Sequence, residues 1–316
     1  MFLKFHKKPL CFMLGMLMLL SFFILVGCST LGTQLKETSS ISKATIVDLP
    51  DDFSSISKTT IVDLSDNLSE YFEGINSGTA IFYNHSEYFV YNEELSQLRT
   101  SPCSTFKIIS GLMGLENGAI DPVNSVKKWN GTNYPVESWN KDIGFEEAFN
   151  SSCIWYYKGV VEQLGKEAVQ NTLKRLNYGN YDISQWEGSL NNLVFPDIKN
   201  LEEINGFWQQ SSLKISPKEQ VDVLAKIFTD KDVFSKSNIE LMKEVMRFEN
   251  GDSNIKIYGK TGTGFKDDTW IDAWYVGMFE QNGEVMYFAV RLNDPGSTST
   301  KARDIAINII NNYFVK

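Results

Sequence analysis

Ser104-Thr105-Phe106-Lys107 is the stretch on which the reading of this chain turns. A serine and a lysine three residues apart fall on one face of a helix, about one turn apart. The amine then lies within reach of the hydroxyl, and a hydroxyl needs a nearby base before it acts as a nucleophile at neutral pH. A four-residue pattern with two free positions arises by chance, so its weight comes from its company. Downstream stand Ser152-Cys153-Ile154, Tyr178-Gly179-Asn180 and Lys260-Thr261-Gly262-Thr263, with 48 residues from Ser104 to Ser152 and 108 from Ser152 to Lys260.

The segments around these motifs alternate in type. Thr79 to Tyr83 and Glu87 to Tyr91 have the composition of strands around a turn at Asn84-His85-Ser86. Ser104 opens a helix whose apolar positions run through Ile108, Ile109, Leu112 and Leu115 and stop near Asn117-Gly118. The middle of the chain is mostly helical. Ser216-Pro217-Lys218-Glu219 carries Ser at the N-cap, Pro at N1 and Glu at N3. Strands return from Ile255 to Gly262, Ile271 to Glu280 and Val285 to Leu292, with Gln281-Asn282-Gly283 as a turn, before a last helix from Lys301 to Tyr313. Strands at both ends with helices between predict an α+β fold, an antiparallel sheet flanked by helices and a mostly helical lobe. The active site is expected in the seam.

The N-terminus divides the rest. Lys4, His6, Lys7 and Lys8 precede an apolar run from Leu10 to Val26 that closes on Leu25-Val26-Gly27-Cys28. That ending resembles a lipobox, where a bacterial lipoprotein is cleaved and its cysteine acylated. Residues 1–27 are therefore expected to be a signal peptide, with Cys28 the lipid anchor. A spanning anchor is the alternative, since the run is barely shorter than the ~20 residues a membrane helix needs. Either way the domain lies outside the cytoplasm. Residues 28–65 form a polar tether in which Ser39 to Leu49 recurs as Ser54 to Leu64 with only Ala44 changed to Thr59. The second copy is placed to join the first strand. Residues 66–316 are expected to be the folded domain.

The formal net charge is −9, and residues 1–27 carry three lysines and no acids, so the remainder stands at −12. A net negative chain without a basic block is a poor nucleic-acid binder. With His6 and His85 as the only histidines and no C-x-x-C, no zinc or other metal site is expected. Cys103 and Cys153 adjoin the two motif serines and are taken as small buried hydrophobes, a disulfide being the alternative in this compartment.

A serine-lysine pair with a downstream serine and a K-T-G is the signature set of the penicillin-recognising serine enzymes. From Tyr71 onward the chain resembles the class D, oxacillinase-type β-lactamases. Ser101 to Lys107 matches their nucleophile segment, with Cys103 where alanine is common. Trp129-Asn130-Gly131 is similar to their W-D-G, Ser152-Cys153-Ile154 to S-x-V, Tyr178-Gly179-Asn180 to Y-G-N, Lys260-Thr261-Gly262 to K-T-G, and Phe207-Trp208 to an F-W element. Their F-W-L-E-G departs here to Phe207-Trp208-Gln209-Gln210-Ser211, which puts a polar Gln209 in place of a leucine.

The resemblance implies roles. Ser104 attacks the β-lactam carbonyl, and its own N–H and that of Thr263 meet the oxyanion. Lys107 is the base, carried as a carbamate made with CO2; no other cofactor is implied. Carbamate formation requires a neutral amine, which burial favours. Trp208 holds the carbamate through its indole N–H. Ser152 relays a proton to the leaving nitrogen with Lys260 beside it. Ile154 shields the base, Thr261, Gly262 and Thr263 line the substrate, and Arg303 grips the substrate carboxylate.

Each has a duller alternative. Trp208 could be core, Lys260 a solvated charge, Arg303 a helix salt-bridge residue and Ser152 a plain N-cap. Tyr178-Gly179-Asn180 is assigned structural support only. The leading expectation is a hydrolase of penicillins and related antibiotics. The rivals are a penicillin-sensor type domain, which stays acylated, and a peptidoglycan transpeptidase or carboxypeptidase. Sensors of that type normally carry several membrane helices and an H-E-x-x-H segment, and this sequence contains one apolar segment and no such motif.

Overall fold

The computed structural model describes residues 59–189, 204–230, 232–249, 254–266 and 269–315. The expected signal peptide, Cys28 and the first copy of the duplication lie outside the described residues. Among the described residues no helix is long and apolar enough to cross a membrane.

Among the described residues, seven strands form one sheet in the order β1-β3-β2-β7-β6-β5-β4. They are β1 (Thr60–Asp63), β2 (Gly78–Tyr83), β3 (Glu87–Tyr91), β4 (Arg247–Phe248), β5 (Ile255–Lys266), β6 (Thr269–Gln281) and β7 (Glu284–Leu292). All pairs are antiparallel except β1 with β3, which is parallel. The expected antiparallel sheet is thus present with one parallel pair at its edge. The end of the second repeat copy is β1 itself. Its partner β3 is already paired to β2 on one side, so β1 covers the open edge of β3, and Leu64 is buried just beyond it.

Helices cover both faces. They are α1 (Ser65–Leu68), α2 (Glu93–Gln97), α3 (Lys107–Glu116), α4 (Phe145–Asn150), α5 (Ile154–Leu176), α6 (Pro217–Thr229), α7 (Lys236–Val245) and α8 (Ser299–Ile309). Period-2 alternation on the long central strand sorts its side chains between two cores. Trp274, Val276 and Met278 of β6 join the larger core with α3, α5 and α6, while Ala273, Tyr275 and Phe279 join the core under α8. A strand buried on both faces needs apolar residues at nearly every position, which is why β6 is an almost continuous hydrophobic run. Helix α3 is buried from Lys107 to Leu115, so it is the central helix of the lobe and not a surface element.

Several local signals are realised. The Asn282-Gly283 turn joins β6 to β7 with both residues at positive φ. The last helix starts two residues earlier than expected, at Ser299, because the Thr298 hydroxyl accepts from Lys301 N at 3.2 Å. At α6 the Ser216 hydroxyl accepts from Glu219 N at 3.2 Å, and the Glu219 carboxylate accepts from Ser216 N at 2.9 Å. Ser216→Ala is expected to lower unfolding free energy by about 1 kcal/mol. Urea titration measures this, and an unchanged midpoint would contradict it.

Candidate active site

The segment before Ser104 is bent tightly. Cys103 adopts φ 49°, a left-handed conformation costly for a side-chain-bearing residue, and is followed by a 3-10 turn, Cys103–Phe106, that feeds α3. Neighbouring segments over-determine this bend. Cys103 N and the Ser101 hydroxyl both donate to the Trp208 carbonyl, at 3.0 and 2.8 Å. The Trp274 indole donates to Ser101 O at 3.1 Å, and Gln220 of α6 donates to the Thr105 hydroxyl at 2.8 Å. Ser104 therefore stands on a turn fastened to the sheet, to α6 and to the loop carrying Trp208.

Lys107, one turn on, donates from Nζ to Ser104 Oγ at 2.8 Å. Its side chain is completely buried, and burial pulls its pKa down to about 8. A desolvated ammonium loses water it cannot replace, so the neutral amine gains. The Tyr157 ring lies 5.6 Å from the nitrogen. Cys103 and Cys153 are both free and buried, with thiols pushed up to about 12, so the disulfide alternative is set aside. Trp208 is buried 5.8 Å from the Phe106 ring, and its indole N–H has no partner among the described residues.

The second pair stands across the cleft. Lys260 of β5 is 4 % exposed, which removes the solvated-charge alternative, and its amine donates to the Ser152 hydroxyl. Burial first, and then the nearby Lys107 charge, hold Lys260 well below the ordinary lysine range. Ser152 is not the N-cap of α5. That position belongs to Cys153, and Ser152 lies one residue earlier at φ 55°. The N-cap alternative therefore fails.

Strand β5 makes the third wall. A Cβ on Gly262 would meet Thr105 Cγ2 at 3.0 Å and Pro102 O at 3.1 Å, so a side chain there would push the strand or the nucleophile turn apart by a few tenths of an ångström. The β5–β6 register slips between Gly262 and Gly264, which leaves Thr263 out of the pairing. Pairing resumes from Gly264 to Lys266, so β5 extends beyond its expected end at Gly262.

Ser104, Ser152, Ile154, Gln209, Thr261, Gly262 and Thr263 line one cleft of about 310 Å³. Lys107 and Lys260 reach it through the serines they bond. Trp139, Val136 and Trp270 line it too, and sequence reasoning missed all three, because a lone aromatic or valine carries no periodic or motif signal. Arg303, expected at the substrate carboxylate, lies 5.2 Å from the Phe248 ring and lines a cavity that shares Asn150 and Thr261 with the cleft. Tyr178-Gly179-Asn180 is a brace: Asn180 N donates to Lys214 O and Lys214 N donates to Asn180 Oδ1, both at 2.9 Å.

The profile of the penicillin-binding protein transpeptidase domain matches residues 69–311. The chain belongs to that family and, within it, to the class D β-lactamase group. It is 35% identical over 225 residues to the probable β-lactamase YbxI of Bacillus subtilis, covering 71% of this chain and 76% of that one. It is 33% identical over 228 residues to the regulatory protein BlaR1 of Bacillus licheniformis, covering 72% of this chain but only 35% of BlaR1. The class D β-lactamase BAT-2 superposes with TM-score 0.67 at 31% identity, covering 79% of this chain and 96% of BAT-2. The C-terminal domain of the B. licheniformis BlaR penicillin receptor superposes with TM-score 0.69 at 29% identity, covering 82% and 98%.

Lys107→Met keeps most of the side-chain volume and removes the amine. Its unfolding free energy is expected to equal or exceed that of the wild type, because a buried amine is replaced by an apolar group. Reaction of Ser104 with penicillin, followed by protein mass, should fall by about 10²–10⁴-fold, the usual contribution of a positioned base. Unimpaired acylation would remove Lys107 from the site.

Proposed function

We propose that this domain hydrolyses the β-lactam amide of penicillins and related antibiotics, and so confers resistance to them. The observation that carries the reading is the 2.8 Å contact from the buried Lys107 amine to Ser104 Oγ, in the cleft that also holds Ser152. Lys107 takes the hydroxyl proton as Ser104 Oγ bonds to the lactam carbonyl carbon. The amide N–H groups of Ser104 and Thr263 hold the oxyanion. The carbon–nitrogen bond breaks, and the nitrogen takes a proton from Ser152, which Lys260 resupplies. The proton held by Lys107 restores Lys260, which leaves Lys107 neutral again. Lys107 then takes a proton from the water that attacks the Ser104 ester and gives it to Ser104 Oγ as that ester bond breaks and the opened product leaves.

Lys107 and Trp208 fit a carbamate, which would supply an anionic base in place of an amine. The negative charge would also reverse the influence of Lys107 on Lys260 and favour its charged form. Ile154, 5 % exposed at the start of α5, keeps bulk water from this base. The same reading puts the domain outside the cytoplasm, held to the membrane by lipid on Cys28.

A second reading is a β-lactam-binding domain that acylates without turnover. Gln209 favours it: the side chain lines the cleft, and its buried Nε2 has no partner among the described residues. A donor at that position can hold the base or the water that deacylation requires.

One experiment divides the two readings: the full-length protein is mixed with a chromogenic cephalosporin or a penicillin, and turnover and protein mass are followed together. Many turnovers per chain are expected; stoichiometric acylation with none would replace the hydrolase with the binding domain. The neutral fraction of Lys107 grows as pH rises through about 8, so turnover should climb across that range. Activity lost on degassing at mildly acidic pH should return with bicarbonate, and indifference to bicarbonate would count against the carbamate.

A further inference from the structure

Three residues in the left-handed region meet behind the cleft: Cys103 at φ 49°, Gln210 at φ 44° and Asp272 at φ 48°. All three are buried. Gln210 Nε2 donates to Asp272 Oδ2 at 3.2 Å and to Cys103 Sγ at 3.5 Å. Burial, and then the Asp272 charge, push the Cys103 thiol up to about 12, and as an S–H it donates to Ser101 O at 3.6 Å. A Cβ on Gly264 would come within 1.8 Å of Gln210 Nε2, so glycine there leaves the slot in which that amide lies.

Each of the three borders a group the chemistry uses. Cys103 precedes Ser104, and Gln210 lies two residues after Trp208. Asp272 belongs to a bulge of β6: Gly262 pairs with Trp274 and Gly264 with Ile271, so Thr263 faces both Asp272 and Ala273. A left-handed backbone is costly for any residue but glycine, and it persists only where the surroundings over-determine it. Here a bond from each bent residue to the next does so. Asp272 Oδ1 has no hydrogen-bond partner among the described residues. Arg291 of β7 is completely buried opposite Trp274; burial pulls its guanidinium down, and the nearby Asp272 charge pushes it back up. Burying a carboxylate costs more than burying an apolar side chain of its size. What it adds at this point is an acceptor that fixes the Gln210 amide.

We propose that Asp272 is a positioning residue for acylation, which through Gln210 fixes the nucleophile turn and the Trp208 loop against Thr263. The inference rests on Ser104 being the group that penicillin acylates, which both readings above share. The carboxylate holds one N–H of Gln210 and leaves the other aimed at Cys103 Sγ. Without that acceptor the Gln210 amide turns away and the Cys103 bend relaxes. Ser104 Oγ then leaves the point where Lys107 and the oxyanion donors serve it together.

The test is the maximal rate at which benzylpenicillin acylates Ser104, followed by protein mass in rapid-quench samples of the full-length protein. Tryptophan fluorescence confirms that each variant is folded. Asp272→Ala is expected to lower that maximum by roughly 10- to 100-fold, the effect of misplacing a reacting group by about an ångström. The half-saturating penicillin concentration should change little, because the ground-state contacts remain. A role in stability alone would lower the urea midpoint and leave the maximum of the folded protein unchanged, and that result overturns the proposal. Gln210→Glu sets two carboxylates against each other and should slow acylation similarly. Adding Asp272→Asn restores a donor and an acceptor with their places exchanged, and should recover about tenfold, the worth of one hydrogen bond to a charged group. A double variant no faster than Gln210→Glu also overturns the proposal, and this comparison decides if Asp272→Ala does not fold. A wild type that penicillin never acylates would overturn the reading of Ser104 and this inference with it; unchanged variants beside an acylated wild type overturn the inference alone.

Discussion

The contact between the Lys107 amine and the Ser104 hydroxyl governs the rest of this structure. It works only if it is dry. In water the amine would be an ordinary ammonium and the serine an ordinary alcohol, and neither would assist the other. Burying an amine without a carboxylate partner costs on the order of several kcal/mol if it stays charged. The fold therefore encloses Lys107 so completely that the neutral form becomes accessible near pH 8. Helix α3 is buried along its length for the same reason.

Holding that contact in register takes three separate parts of the chain. The Trp208 carbonyl accepts from both Cys103 N and the Ser101 hydroxyl, which fixes the turn before the nucleophile. Gly262 lets β5 close on the same turn, and the bulge after it frees Thr263 from its ladder. Lys260, on the same strand, reaches Ser152 at the start of α5. A second buried lysine so near the first means that the charge state of each depends on the other. The site is best understood as a coupled pair of amines reaching the cleft through two serines.

Much of this was legible in the sequence wherever local chemistry decides structure. The Ser216-Pro217-Lys218-Glu219 cap, the Asn282-Gly283 turn and the approximate positions of β2, β3, β6 and β7 follow from propensity and period. The ordered motifs brought Ser104, Ser152 and Thr261 to Thr263 into one cleft as expected. What escaped was set by tertiary packing. The parallel pairing of β1 depends on β3 having an open edge, which nothing in Thr60 to Asp63 announces. Arg303 packs against Phe248 and lines a cavity beside the cleft, a placement that a four-residue match on a helix does not fix. Trp139 and Trp270 enter the cleft from distant loops and strands.

The most direct measurement is the protonation of Lys107 itself. Full-length protein labelled with 15N at lysine side chains is degassed to keep the amine free of CO2, and the Lys107 Nζ resonance is assigned by comparison with Lys107→Met and followed against pH by NMR. The account predicts a midpoint near 8, the value that burial imposes. A midpoint at the ordinary lysine value, about 10.4, would show that the amine is solvated and would contradict the account.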